Sequence, residues 1–337
     1  MKATKVLSST LVIITFIGTI IIFLLFLKRK QINSLERIKI YRFEKTLFNT
    51  NQEKIEGDIL QWEKELGTFF ENFNHEVLRT NSNNKNYKEE VLTFISHSDM
   101  REAYDTLLEK YQNIEFLEVE LANSFNIYKK HFPDKKMPKV VTYFSGFNFG
   151  VATNDTFLVI GLDYFLGKDC NFYKRLNIPE YMIQQSQKRF IVPYCMEAIA
   201  NNEFGVFDRE TDFLSQIIFK GKLMTFIDAM LPNYSASDKL RYSEKDFLWC
   251  KENEKNIWKF FIDRELLFSN DYKQFTSYLH FSPFAKGMPK QSPGRIAYWL
   301  GWNIVQDYMK NNPNLTLDEL MQNTNAQEIL RESGYKP

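Results

Sequence analysis

Few cysteines, few histidines and almost no net charge set the first limits on this 337-residue chain. Cys170, Cys195 and Cys250 are widely spaced and form no CxxC pair. That spacing excludes a zinc ribbon or a thioredoxin-type centre and permits at most one internal disulfide. The only histidines are His75, His97, His131 and His280, and no two share a helical turn. No helix can therefore offer two imidazoles to one ion, as the HExxH motif of zinc proteases requires. With 43 Lys and Arg against 42 Asp and Glu, the net charge is +1. A dedicated nucleic-acid binder usually carries a basic excess, and none is present. The GxSxG elbow, the kinase set and the GxxxxGK[ST] and GxGxxG phosphate loops are all missing. Gly146 and Gly150 read as turn glycines, and Gly167-Lys168 lacks a surrounding loop that would cradle phosphate. There is no internal repeat and no Pro/Gly/Ser-rich linker, and nothing in the chain calls for a cofactor.

What remains is a globular composition. Hydrophobic residues make up 44% and charged residues 25%, and 31 phenylalanines supply ample material for a core. The amino terminus carries 22 uncharged, mostly apolar residues, Val6 to Leu27, between Lys2 and Lys5 on one side and Lys28-Arg29-Lys30 on the other. Roughly 20 such residues cross a bilayer core as a helix. A cleaved signal peptide would have a shorter apolar region and small residues at its cut site. Residues 1–30 therefore read as an uncleaved transmembrane anchor or signal-like segment, attaching the chain to a membrane through residues 6–27. No cysteine near the end of the run supports lipid attachment. The flanking basic residues weakly favour a cytoplasmic carboxyl-terminal domain.

After the anchor, residues 31–135 read as mostly helical. Leu117, Leu121, Phe125, Tyr128 and Phe132 share one helix face, and residues 81–86 (NSNNKN) read as a loop. Prolines 133 and 138 end this region. Residues 139–144, 151–153 and 156–160 are strand-like, with Asn154-Asp155 as a turn, and predict a small antiparallel sheet of about three strands. The last of these strands lacks alternation, which predicts burial on both faces. From residue 178 the pattern is helical again. Phe213, Ile217, Met224, Ile227 and Leu231 form one stripe, and Phe247, Cys250, Ile257, Phe261 and Phe268 form another. Ser243 with Asp246 and Thr316 with Glu319 are capping pairs. Ser292-Pro293 reads as a cap followed by proline at the first position of a helix running to about Met309. The expected fold is α+β: a predominantly helical single globular domain over 31–337, with a small antiparallel or mixed sheet, on a transmembrane helix. Its helical part would be 31–135 and its sheet-plus-helices part 136–337.

Two acids stand out as buried candidates. Glu197 lies inside the apolar stretch 190–200 (FIVPYCMEAIA), and Glu254 falls on the second apolar stripe. A buried carboxylate is costly unless paired or hydrogen-bonded, and its pKa can move into a catalytic range. The favoured reading is a structural pairing with a nearby Lys or Arg. Arg295 can clamp a carboxylate from a helical first turn, with an internal ion pair its expected use. Ile296, Trp299, Leu300 and Ile304 are helix-spaced and read as core, and Gly294 and Gly301 would permit close helix contact.

A series of short blocks runs along the carboxyl-terminal half. It includes residues 160–168 (IGLDYFLGK, with Gly161, Asp163, Gly167 and Lys168), Phe172-Tyr173 and Ile191-Val-Pro193. Further blocks are Gly221-Lys222, residues 228–232 (DAMLP), and Trp249 to Glu254 with Ile257-Trp258. The series ends with residues 266–269 (LLFS), Ser292-Pro293-Gly294-Arg295, Gly301-Trp302 and residues 334–337 (GYKP). In this order and spacing the carboxyl-terminal half resembles the gliding-motility protein GldB of the Bacteroidota, and residues 37–135 fit the same family more loosely. The resemblance implies a cell-envelope protein needed for gliding, linked to type IX secretion, whose partners are other gliding and secretion subunits. Family members are typically lipoproteins, from which this chain departs. The resemblance further implies an inner-membrane anchor with a periplasmic domain, a placement preferred to the weak charge bias. The family also looks distantly similar to HExxH zinc proteases; the helix around Glu197 would then be a metal-free remnant of such a site.

These features favour a non-enzymatic, envelope-anchored gliding component that acts through protein–protein contacts, with no metal, no nucleic acid and no small-molecule substrate. The alternatives are a divergent zincin-like hydrolase with an atypical site using Glu197 or Glu254, and a membrane-anchored chaperone for secreted adhesins.

Overall fold

A computed structural model describes residues 37–205 and 211–337. The apolar run at 6–27 lies outside the described residues; among those described, no helix is long and apolar enough to cross a membrane. The chain begins with strand β1 (Ile40–Arg42) and continues through α1 (Phe43–Phe48), α2 (Ile55–Leu66) and α3 (Thr68–Phe73), which runs into a π-helical turn, Asn74–Leu78. Helices α4 (Tyr87–Ser96), α5 (Ser98–Lys110) and α6 (Glu115–His131) follow. Strands β2 (Lys139–Tyr143), β3 (Val151–Thr153) and β4 (Phe157–Gly161) lead to the short helices α7 (Asn171–Arg175) and α8 (Glu180–Ile183). The rest is helical: α9 (Ile191–Phe204), α10 (Phe213–Met230), α11 (Ala236–Leu240), α12 (Glu244–Glu252), α13 (Glu254–Asp263), α14 (Tyr272–Leu279), α15 (Ile296–Asn311), α16 (Leu317–Gln322) and α17 (Ala326–Ser333).

The molecule is thus mostly helical with one small sheet, an α+β arrangement, but the sheet is not a three-stranded antiparallel one. Its order is β1-β2-β4-β3. β1 runs parallel to β2, with Ile40 opposite Val140, and β2 runs parallel to β4, with Val141 opposite Val159. Only β3 and β4 are antiparallel. Their hairpin turns on Asn154, whose Oδ1 accepts the backbone N–H groups of Thr156 and Phe157 at 2.8 Å each. β1 escaped the sequence reading because a three-residue strand gains its character from a partner about 100 positions away, not from local alternation. It also binds the two halves of the chain together. Thr142 on β2 donates to Glu44 of α1 at 2.9 Å, and the side chains of Phe69 and Phe73 pack edge-on against Tyr143. One hydrophobic cluster runs from Ile40 to Tyr335.

On the other side of the sheet's hairpin, α9 packs on β3 and β4, and α10 packs on α9. The most extensive helix contact joins α10 to α15. It depends on two facing glycines. A Cβ on Gly221 would lie 2.1 Å from the carbonyl oxygen of Gly301, and a Cβ on Gly301 would lie 2.0 Å from that of Ile217. The backbones meet at a distance no larger residue permits. Ile296, Trp299, Leu300 and Ile304 are buried on α15 as their spacing implies, and the α6 stripe is buried throughout.

Two helical expectations change. The stripe from Phe247 to Phe268 is split at Asn253, whose side-chain amide donates to the Trp249 carbonyl and competes with the helical ladder. Phe268 lies beyond α13 and is 62% exposed. Ser292-Pro293 does not open α15. Ser292 Oγ accepts from Ala285 N–H and donates to the Pro289 carbonyl, which holds it in the preceding loop. The helix starts at Ile296, after Arg295 in left-handed backbone with φ 60°. Gly294 is pressed against the Ser282 backbone, not against a helix. The capping boxes at Ser243 and Thr316 form as read.

Candidate functional site

Glu197 is the centre of a buried cluster in which one carboxylate meets two guanidiniums and a hydroxyl. It occupies the middle of α9, whose apolar sequence buries it among Cys195, Met196, Ile199 and Ala200. Arg295 reaches it from the start of α15 at 2.5 Å, and Arg241, just after α11, reaches it at 2.7 Å. Both guanidiniums share Oε2, while Oε1 accepts from the Tyr298 hydroxyl at 2.9 Å. Both arginines are buried and both adopt left-handed backbone, at φ 57° and 60°. The conformation is strained for a residue with a Cβ, so packing and pairing must hold it. Aromatic rings complete the clamp. Arg241 lies 3.9 Å from the Tyr194 ring centre, and Arg295 lies 3.5 Å from that of Tyr298. The Phe281 ring serves both cations, at 5.0 and 4.7 Å.

Burial alone would raise the Glu197 pKa. Arg241 and Arg295, with Lys220 further off and the Tyr298 hydrogen bond, outweigh it and bring the carboxyl down to about 2. At neutral pH it is a fixed anion with both oxygens engaged, and no proton-transfer role fits it. In the frame of an HExxH helix, the places of the two imidazoles are taken by Met196 and Ala200, both fully buried. His75 and His131 are exposed, His97 caps α5 by accepting from Asp99 N–H, and His280 bonds to Tyr272 at 3.1 Å. Among the described residues, no group of three or more His, Cys, Asp or Glu side chains could hold a metal ion. The three cysteines are buried and unpaired; burial pushes the Cys195 and Cys250 thiols up.

Glu254 is not part of this cluster, and it is not buried. It begins α13, half-exposed, and accepts from the Tyr335 hydroxyl at 2.7 Å. The Trp258 ring meets Tyr335 edge-on at 5.4 Å, so these residues and the turn at Gly334 pin the carboxyl terminus. Trp249 is half-buried on α12, Trp302 is buried on α15, and Lys168 is exposed. Pro193 stands in the first turn of α9, where its missing N–H costs little.

Asp163 organises the loop between β2 and β3. It accepts from the backbone N–H groups of Ser145 at 2.8 Å and Phe147 at 2.5 Å, and from Ser145 Oγ at 3.0 Å. Gly146 and Phe147 both take positive φ, forming a nest of N–H groups around the carboxylate. Burial pushes its pKa up to about 6 against these hydrogen bonds. Gly161 lets the same loop approach, because a Cβ there would lie 2.2 Å from the Phe149 carbonyl oxygen. Gly167 turns at φ 89° beside Lys110. The apolar neighbours of Asp163 offer a signal for burial that the sequence reading does not use, whereas Glu44, a second buried acid bonded to Arg42 at 2.6 Å, is flanked by Arg42 and Lys45 and carries none.

Lys222 is a buried cation without a carboxylate. It donates to the carbonyls of Met321 at 2.8 Å and Asn323 at 2.7 Å, at the end of α16. Burial pulls its pKa down to about 8. As pH rises from about 8 towards the ordinary lysine value, the folded chain releases this proton before the unfolded chain does, so this group adds stability across that interval. In Lys222→Met that rise should disappear from urea-denaturation curves. The two carbonyls left unbonded should lower stability at pH 7 by about 1–3 kcal/mol.

The fold and this cluster describe a helical α+β protein whose central carboxylate has both oxygens engaged by buried partners. The family model for the gliding motility protein GldB matches residues 28–337, and the chain belongs to that family. No curated protein and no solved structure matches it.

Proposed function

We propose that the chain is a non-enzymatic component of the gliding machinery, held at the cell envelope and acting through contacts with other gliding and type IX secretion proteins. The family membership carries the gliding assignment. The non-enzymatic part rests on Glu197, whose two oxygens are taken by Arg241, Arg295 and Tyr298. The apolar run at residues 6–27 supports a membrane anchor. In this reading the anchor lies in the inner membrane and residues 31–337 form one periplasmic folding unit, a side argued from the family's envelope role against the weak bias of the flanking charges. Deleting the gene in a gliding host should abolish surface spreading, and the intact gene should restore it. Secretion of type IX cargo in the same strain tests the wider role. Normal spreading of the deletion strain would refute the proposal.

A further inference from the structure

Strand β3 ends the sheet, and no strand among the described residues pairs with its outer side. The register shows which groups this leaves free. Gly161 N–H donates to the Gly150 carbonyl at 2.8 Å, and Asn154 N–H donates to the Phe157 carbonyl at 2.9 Å. Antiparallel pairs alternate between bonded and unbonded, so Ala152 bonds Val159, and Val151 and Thr153 turn their N–H and C=O groups outward. Among the described residues these outward groups have no backbone partner. Val151 and Thr153 are partly exposed, and Ala152 between them is exposed. A free edge is normally shielded by a charge or a proline, and residues 149–154 (FGVATN) contain neither.

The same edge borders an apolar cleft of about 350 Å³ on the sheet face towards α3. Ala152 and Thr153 line it together with the buried rings of Tyr143 and Phe157, and Phe149 lines it while 41% exposed. Phe149 is held in place: its N–H donates to Ser145 Oγ at 3.3 Å, in the loop fixed by Asp163 and admitted by Gly161.

We propose that β3 takes up an extended segment of a partner protein as a further strand, with alternate side chains of that segment in the cleft. The outward N–H and C=O groups of Val151 and Thr153 stand at strand spacing, and an extended backbone meets them in register where a helix or a lipid chain does not. The partner residue opposite Ala152 shares its face and enters the cleft, so it is large and apolar. Glu76 is the only charged side chain lining the cleft, which favours a lysine or arginine on the same face of the segment. This surface gives the contacts proposed above a place and rests on that reading for the partner being a gliding or secretion protein. Binding is measured on purified protein and spreading in cells, so either can fail alone.

The test is selection of a displayed library of random short peptides on the full-length chain in detergent micelles. Enriched sequences should carry large apolar residues at alternate positions with a basic residue among them, and should bind with a dissociation constant on the order of 10 μM by fluorescence anisotropy. Thr153→Pro removes an outward N–H and leaves the bonds to β4 in place, so it should weaken binding at least about tenfold. Thr153→Val keeps that N–H and should bind as the wild type does. Both variants lose the Thr153 hydroxyl bond to the Phe157 carbonyl, so their comparison isolates the N–H. Phe149→Ser, at an exposed position of little risk to the fold, should weaken binding comparably, and bound peptide should slow hydrogen exchange at the Val151 and Thr153 amides. The proposal is overturned if no sequence is enriched, if Thr153→Pro and Phe149→Ser bind as tightly as the wild type, or if the β3 amides stay unprotected in the complex. A dimer of the chain that is lost in Thr153→Pro, with no peptide bound, would assign the edge to a second copy and overturn it as well.

Discussion

Glu197→Gln should destabilise the protein by about 3–5 kcal/mol, because it leaves the Arg241 and Arg295 guanidiniums buried with no opposing charge. Urea denaturation at pH 7 reads the loss directly. The pH dependence gives a second signature. The fold holds this carboxyl at about 2, below its unfolded value, so the stability it contributes is complete above the ordinary carboxylate range. That stability drains away as pH falls from there through about 2. Asp163, pushed up to about 6, acts in the opposite sense between its ordinary value and about 6. The difference between wild type and Glu197→Gln therefore isolates the clamp, and it should shrink towards acid pH. An acid used in catalysis would give another pattern: lost function in a variant as stable as the wild type.

Gly301→Ala should be comparably damaging for a different reason. The added methyl would lie 2.0 Å from the Ile217 carbonyl oxygen, and that atom belongs to helix backbone that cannot rotate away. Helices α10 and α15 would have to separate along the largest contact in the molecule. Overpacking costs about 1–3 kcal/mol where side chains can yield, and this site falls at or beyond the upper end. Gly221→Ala meets the same obstacle from the other helix, at 2.1 Å from Gly301 O. The two effects should be less than additive, since either one alone forces the separation. Thermal unfolding of the single and double variants measures this. Full additivity would show that the glycines act separately.

Much of this architecture could be read from the chain because its signals are local. The α6 stripe, the capping boxes at Ser243 and Thr316, and the Asn154 turn all follow from residues within a few positions of one another. Glu197 stands out because a lone acid in an apolar run must find partners, and the sequence points to an internal ion pair for Arg295. Arg241 was not foreseen. It follows a five-residue helix in a polar stretch, and only the tertiary fold brings it to Glu197, 44 positions away. The same limit hid β1, which exists only where distant segments meet. Glu254 misled because its stripe continues across a helix break: counted along one helix it faces the core, but it begins a new helix at the surface.

The most direct test replaces the clamp whole. In a deletion strain of a gliding host, the chain would carry Glu197→Leu, Arg241→Met, Arg295→Met and Tyr298→Phe, which exchange the buried charges for apolar side chains of similar volume. Such exchanges of complete buried ion pairs are often neutral or stabilising. If the cluster only holds the fold, this variant should accumulate to wild-type levels and restore surface spreading, while Glu197→Gln alone should be depleted. A replacement that is as abundant and stable as wild type yet fails to restore spreading would contradict the account, because Glu197 would then act in the function itself.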